Sequence, residues 1–428
     1  MREDFLHYVW RHQAFSRERL QTEEGETLSV LAMGQLNAGA GPDFLEARLM
    51  LDDIEWHGPV EIHLKSSDWY AHKHQSDPAY EEVILHVVWE HDRPVTRANG
   101  KEIPVLVLAG RVDEALQQNY QVLMGNLGNL ACADRWSTVR EITQMQMQDQ
   151  ALLHRLETKA DWMKEVYETN TQDWDVVAYQ AVARAFGFRA NRDPMWEVSR
   201  RLPLKLVLKH QHRLDQMEAL VFGVAGLLTN RDQVDPYYQI LQKEWQFLAH
   251  KYQLEAPNPP LPWRFGGVRP ANQPHRRLAQ FAALLVKEGR VFAMLREVNS
   301  LNELIGRLRV KTSPYWRQYY LFGKREARPG AEQLGLGSAH SIVINAVAPL
   351  LAAYGTWMKD PKFTEKAVEL LQHIPAEDNA IIRRWTSLGV KVQSAFDTQA
   401  LIGQYQAFCT PRRCLQCPVG VYLLRHGS

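Results

Sequence analysis

Residues 41–69 read GPDFLEARLMLDDIEWHGPVEIHLKSSDW. Near its end, Glu61, His63 and Lys65 recur with the period of a β-strand, which points all three to one face. Unpaired charge is too costly to bury, so that face is either solvent or a site. The Pro42-Asp43 pair stands ahead of the preceding apolar run and gives the stretch a further carboxylate.

The surrounding runs extend the strand pattern outward. TLSVLAMG (27–34), FLEARLMLD (44–52), EVILHVVWEH (82–91) and IPVLVLAG (103–110) each predict a strand. EDFLHYVWRHQAF (3–15) predicts an amphipathic opening helix. Between strands, SDWYAHKHQSDPAY (67–80) is polar, with Ser67 or Asp68 placed to cap a short helix. From about residue 140 long helical periods take over, as in 147–167, 175–188 and 237–254. The Pro- and Gly-rich stretch EAPNPPLPWRFGGVRP (255–270) breaks them as an ordered loop or hinge.

With 428 residues the chain exceeds what one core usually supports, and it is 45% hydrophobic and 23% charged, a globular composition. The sequence shows no apolar run long enough to cross a bilayer and no signal-peptide segment at its start, which gives the expectation of a cytoplasmic protein without a membrane partner. Four cysteines are too few for a disulfide framework. The net charge of +1 conceals an asymmetry: residues 1–130 carry 11 Lys and Arg against 21 Asp and Glu, and the rest carry 39 against 28. Clustered carboxylates suit divalent cations and a basic half suits a polyanion, although two solvated faces of opposite sign would give the same count.

The order helix, strand, Pro-Asp strand, Glu-X-His strand, helix, strand resembles the core of the PD-(D/E)XK nuclease-like superfamily. Pro42-Asp43 matches its Pro-Asp pair and Glu61-Ile62-His63 its (D/E)XK triplet. The resemblance implies an α/β (α+β) restriction-endonuclease-like domain with a mixed central sheet over residues 1–130, and the helical periods that follow give the expectation of a larger all-α domain over 131–428. It implies that Asp43 and Glu61 bind Mg²⁺ or Mn²⁺ beside a scissile phosphate, where hard oxygens hold a hard cation that lowers the pKa of a bound water. The sequence departs from the pattern in placing His63 where the superfamily has Lys; Lys65, on the same face, would supply the ammonium. The expected activity is divalent-metal-dependent hydrolysis of nucleic acid, DNA foremost. The alternative is a nucleic-acid-binding or assembly protein that kept the fold without catalysis. The whole chain also resembles an uncharacterised bacterial family through GPDF, GPVEIH, SSDWYAHKH, VILHVVWEHD, RPAN and the terminal FCTPRRCLQCP.

Six of the 16 histidines fall between His57 and His91. His72 and His74 can serve as ligands if the backbone there is extended, with Asp68 or Asp77 completing a set that suits zinc, so a zinc-dependent hydrolase stands as a further alternative. They can equally line the groove and contact phosphate. His86, in an apolar strand, reads as a hydrogen-bonded core residue. Arg264, Arg269, Arg276 and Arg277 surround a Pro-interrupted helix start and read as a nucleic-acid-binding patch, with Trp263 and Phe265 as stacking rings; solvated linker arginines would look the same. GLGSAHSIVINAVAPLLAAYG (335–355) lacks the Lys-Ser/Thr of a phosphate-binding loop. Cys409, Cys414 and Cys417 have C-x4-C-x2-C spacing, and Cys132 is the one other cysteine. Together they are expected to form a structural site for Zn²⁺ or an iron–sulfur cluster, with His426 able to replace Cys132 in a zinc site.

Overall fold

The computed structural model describes residues 1–427 except 38, 127, 129, 171, 231, 327–329, 331 and 332. The chain forms two compact units, Met1–Gln148 with Gln404–Ser428, and Asp149–Gly403. The first is a mixed α/β unit and the second is mostly helical. The division departs from the expected boundary at residue 130, because the cysteine-bearing C-terminal segment belongs to the first unit.

The first unit opens with helix α1 (Glu3–Arg11), whose Glu3 and Asp4 lie in the first turn, where the helix dipole favours acids. Its Phe5, Leu6, Val9 and Trp10 are fully buried. The helix stops short of residue 15, with Gln13 in the left-handed region. The sheet contains β1 (Leu28–Ala32), β2 (Gln35–Leu36), β3 (Phe44–Leu51), β4 (Ile54–Lys65), β5 (Leu85–Glu90) and β6 (Val105–Val107). Its order is β1-β3-β4-β5-β6, with β2 also on β3. Strand β3 is antiparallel to β1, β2 and β4, whereas β5 and β6 run parallel to β4. Gly34 (φ +82°) follows β1, where a side chain would strike the Leu45 backbone.

Register fixes which face is buried against what. Val60 pairs with Leu85 and Ile62 with Val87, and these four join Phe5, Leu6 and Phe44 in the main core of the unit. Burying each such side chain contributes about 1.5–3 kcal/mol. The other face of the same strands carries Glu61, His63 and His86, with Glu61 opposite His86. This face is not solvent: Glu61, His63 and His86 are 4%, 1% and 0% exposed. The cover is residues 66–84, because a parallel strand pair requires a crossover. That crossover contains α2 (Asp68–Ala71) and 3₁₀ turns at His74–Ser76 and Pro78–Tyr80. Trp69 and Tyr80 anchor it in a small cluster with Val83, Val95 and Ile103.

The C-terminal helix Pro418–His426 places Leu424 in the main core of this unit. Asn119, on α3 (Glu114–Gly125), donates through Nδ2 to the Leu424 carbonyl at 3.1 Å, and Arg425 donates to the Tyr8 hydroxyl at 2.9 Å.

In the helical unit, helices Trp174–Phe186, Leu214–Val224 and Pro274–Glu288 form the centre of the core. Contrary to the sequence expectation, the helical run Leu336–Met358 is long and apolar enough to cross a membrane by length and composition. Its apolar window is mostly buried in the unit, as in a core helix. The loop 255–270 is held by the Trp263 indole donating to the Ala225 carbonyl at 2.9 Å, and by Asn191, which bonds both the amide and the carbonyl of Arg264.

Candidate metal centre

The polar face of β4 gathers histidines from four places in the chain. His63 Nδ1 lies 2.8 Å from His86 Nε2, and His63 Nε2 lies 3.0 Å from His72 Nδ1. Glu61 Oε1 is 3.3 Å from His74 Nε2 and 3.6 Å from His63 Nε2. Ligand atoms of His63, His72 and His74 all lie within 4.8 Å of one another.

Helical spacing would not turn His72 and His74 to the same point. The residue between them, Lys73, adopts the left-handed conformation (φ 64°), which reverses the chain as α2 ends. His74 then stacks on Tyr80 with ring centroids 3.8 Å apart. The start of the crossover is pinned by Asp92, which accepts from the Ser66 hydroxyl, the Ser67 hydroxyl and the Ser67 amide at 2.7–2.9 Å. Burial opposes the Asp92 charge, but these bonds hold its carboxyl at about 2.

Asp43 sits at the head of β3 and is laced to the Glu61 strand. Its amide donates to Glu61 Oε2 at 3.0 Å, and its Oδ2 accepts from the Ile62 amide at 3.0 Å. His7 Nε2 of α1 stands 3.2 Å from Asp43 Oδ2, within ion-pair range though not aligned for a hydrogen bond. Burial works against a charged His7, while Asp43, Glu3 and Glu61 raise its pKa. Burial also raises the Glu61 carboxyl, partly countered by His74. His63 is pushed down to about 3 by burial and by His72 and His74, and His86 falls well below its ordinary value.

These quantities fit a metal ion. Metal-bound imidazole must be neutral, and His63 is held neutral. A tetrahedral shell with Zn–N bonds of about 2.0–2.1 Å has donor–donor edges of about 3.3 Å; the pairs His63–His72, Glu61–His74 and Glu61–His63 stand at 3.0, 3.3 and 3.6 Å, and the three imidazoles lie within 4.8 Å of one another. The same contacts around His63 close a hydrogen-bond chain in the metal-free protein, but they leave His74 Nε2 buried with no aligned partner. With His63 Nε2 turned to the site, its Nδ1–H donates to His86 Nε2, the supporting bond that orients a metal-binding imidazole. The set is closed at His63, half-buried at His74 and open at His72.

Of the residues expected from sequence, Asp43, Glu61, His63, His72 and His74 converge. Lys65 does not join them: its ammonium pairs with Glu90, its register partner, at 3.3 Å at the exposed end of the strand. His86 is the buried, hydrogen-bonded residue its apolar strand implied, and its partner is His63; His7 was not expected, and it lies one helical turn after Glu3, a spacing that puts both on one side of α1. The arginine patch divides. Arg264 and Arg269 are exposed, but Arg276 and Arg277 are buried. Arg276 donates to Glu326 at 2.7 Å, and Arg277 donates to Gln280, Ser338 and Asn272. Glu326 neutralises Arg276, whereas Arg277 is held by neutral oxygens in the interior, so neither arginine belongs to a surface patch.

Two cavities carry cations instead. One of about 230 Å³ in the first unit is lined by Arg2, Arg11, Arg412 and Arg413, with Asp4 paired to Arg2, and it shares His7 with the metal centre. Another of about 640 Å³ in the helical unit is lined by Lys159, Arg184, Arg189, Arg192 and Trp162.

A comparison with protein families matches residues 3–380 to the family described as Protein of unknown function (DUF2851). The chain belongs to this family. The match takes in every residue of the metal centre and ends before the C-terminal cysteines. No curated protein and no solved structure gave a match.

Proposed function

We propose that this protein is a divalent-metal-dependent phosphodiesterase acting on nucleic acid, with its metal held by Glu61, His63, His72 and His74. The observation that carries this reading is the cluster of His63, His72 and His74, whose ligand atoms all lie within 4.8 Å of one another, with Glu61 Oε1 3.3 Å from His74 Nε2 and 3.6 Å from His63 Nε2. A donor set of three imidazoles and one carboxylate favours zinc or manganese over magnesium, so the metal differs from the one the nuclease resemblance implied. When bound, such an ion polarises the phosphate and lowers the pKa of an attacking water.

Asp43 is a quarter exposed and adjoins Glu61, which suits it to accept a proton from that water. His7 holds the Asp43 carboxylate from the side of α1, and His86 orients His63. Arg11 and Arg413, exposed beside His7, would receive phosphate oxygens of the polyanion. The succession α1, β1, β3 with Asp43 at its head, β4 with Glu61 and His63, α2 and β5 supports the nuclease-like reading of the first unit.

The test is cleavage of single- and double-stranded DNA and RNA by the chelated and the Zn²⁺- or Mn²⁺-loaded protein, with Asp43→Asn as control. Metal-dependent cleavage lost in Asp43→Asn is expected. Tight metal binding with no cleavage of any of the four substrates would refute the nuclease assignment and leave a metal-dependent hydrolase of another substrate.

A further inference from the structure

We propose that Cys132, Cys409, Cys414 and Cys417 together hold an iron–sulfur cluster in the first unit. They are all the cysteines of the chain, and none forms a disulfide. Although Cys132 is far from the others in sequence, its segment meets theirs: Arg412, between Cys409 and Cys414, donates to the Asn126 carbonyl and to the Gly128 carbonyl at 3.2 Å, and every pair among the four thiols is near enough to interact electrostatically. Cys132, Cys414 and Cys417 are buried and Cys409 is half-buried.

Cys132, Cys414 and Cys417 lie at the start of helical turns, where unsatisfied backbone amides point outward, and Cys409 lies at the end of one. Cys132 precedes the 3₁₀ segment Ala133–Thr138, Cys409 closes the π-helical turn Tyr405–Cys409, and Cys414 opens the turn Cys414–Gln416. Cys417 is the N-cap of the C-terminal helix, and although its side chain makes no cap hydrogen bond, the nearby amides of Val419 and Gly420 favour its thiolate. Gly420 is needed there, since a side chain would collide with the Cys414 carbonyl. Amide bonds to sulfur favour a thiolate and tune iron–sulfur clusters.

The surroundings suit a buried anion. Arg135 Nη2 is buried with no partner, and Arg135 acts on Cys132 while Arg2 and Arg412 act on Cys414. Cys417 Sγ rests 3.3 Å from Met147 Sδ, and Met147 is fully buried, which walls off water.

Spacing separates the cluster from zinc. A zinc ion with Zn–S bonds of about 2.3 Å would draw four sulfurs to about 3.8 Å from one another. Among the described residues, no three of these sulfurs lie within 4.8 Å of each other. A cluster of several irons holds its thiolates wider, and C-x4-C-x2-C with a distant fourth cysteine is a ferredoxin spacing. His426, the alternative zinc ligand, is exposed and stacks on Tyr422. The chain leaves this unit after residue 148 and returns at 404, so the cluster would fasten the returning segment, including Arg412 and Arg413, to residue 132.

The full chain, expressed with added iron and purified without oxygen, should be brown. It should contain iron and acid-labile sulfide in equal amounts, about two or four of each per chain, and give an electron paramagnetic resonance signal in its oxidised or dithionite-reduced form. Cys132→Ser and Cys414→Ser should each lose most of the sulfide while the wild-type stoichiometry stands as the primary result. Stoichiometric zinc without sulfide, no metal at all, or sulfide content unchanged in both variants would overturn the proposal. None of these readouts depends on nuclease activity.

Discussion

Removing His72 and His74 together gives the most quantitative perturbation of the metal centre. A ligand that binds only the folded state at about 1,000 times its Kd stabilises by about 4 kcal/mol. The unit that holds the centre comprises residues 1–148 and 404–428, a size at which each kcal/mol moves Tm by about 2–4 °C. Saturating Zn²⁺ or Mn²⁺ should therefore raise its unfolding transition by about 8–16 °C over the chelated protein. Differential scanning fluorimetry of wild type and His72→Ala/His74→Ala, each with EDTA and with metal, measures this shift. The double variant loses the His74–Tyr80 stack as well, so the informative quantity is each protein's own metal-dependent difference, which should fall to near zero in the variant. An equal shift in both proteins would place the ion elsewhere, and no shift in wild type would refute the metal centre.

Glu218 is buried in the helical unit, accepts from Tyr237 and Trp316, and burial raises its carboxyl to about 7 from 4.5. The folded protein thus binds more protons than the unfolded one between those values, so stability is full below about 4.5 and is lost as pH rises through about 7. The difference is about 3 kcal/mol, and Glu218→Gln should flatten it in urea titrations at pH 5 and 8; an unchanged slope would refute the assignment. Arg11→Ala/Arg413→Ala should weaken nucleic-acid binding and lower its salt slope by up to about two units in fluorescence anisotropy, while metal affinity stays unchanged. Arg276→Met should leave that slope intact and cost about 3–5 kcal/mol in denaturation, since it strands Glu326 in a largely buried pair.

The period-two pattern around Glu61 and His63 was legible because apolar and ionisable residues alternate, and alternation survives in any sheet context. The parallel pairing that buries the ionisable face was not: it depends on a crossover whose turn rests on a left-handed lysine, and Lys73 carries none of the marks of glycine or asparagine. For the same reason His72 and His74 read as uncertain partners although both reach His63. His7 was missed because its link to Asp43 spans 36 residues of sequence and a change from helix to strand. Arg276 and Arg277 misled in the opposite sense. Their charges suggested surface, while the partners that bury them, Glu326 and Ser338, lie about 50–60 residues downstream. The return of the C-terminus to the first unit left one trace, the lone Cys132 set against a terminal trio.

The central claim is that one ion sits among Glu61, His63, His72 and His74. Anomalous diffraction from a crystal soaked in Zn²⁺ or Mn²⁺, collected on both sides of the metal edge, tests it most directly. A single strong peak bonded to His63 Nε2, His72 Nδ1, His74 Nε2 and Glu61, with Asp43 beside it, is the result expected. A crystal with no anomalous peak at this cluster, His63 and His72 keeping their 3.0 Å hydrogen bond, would contradict the account.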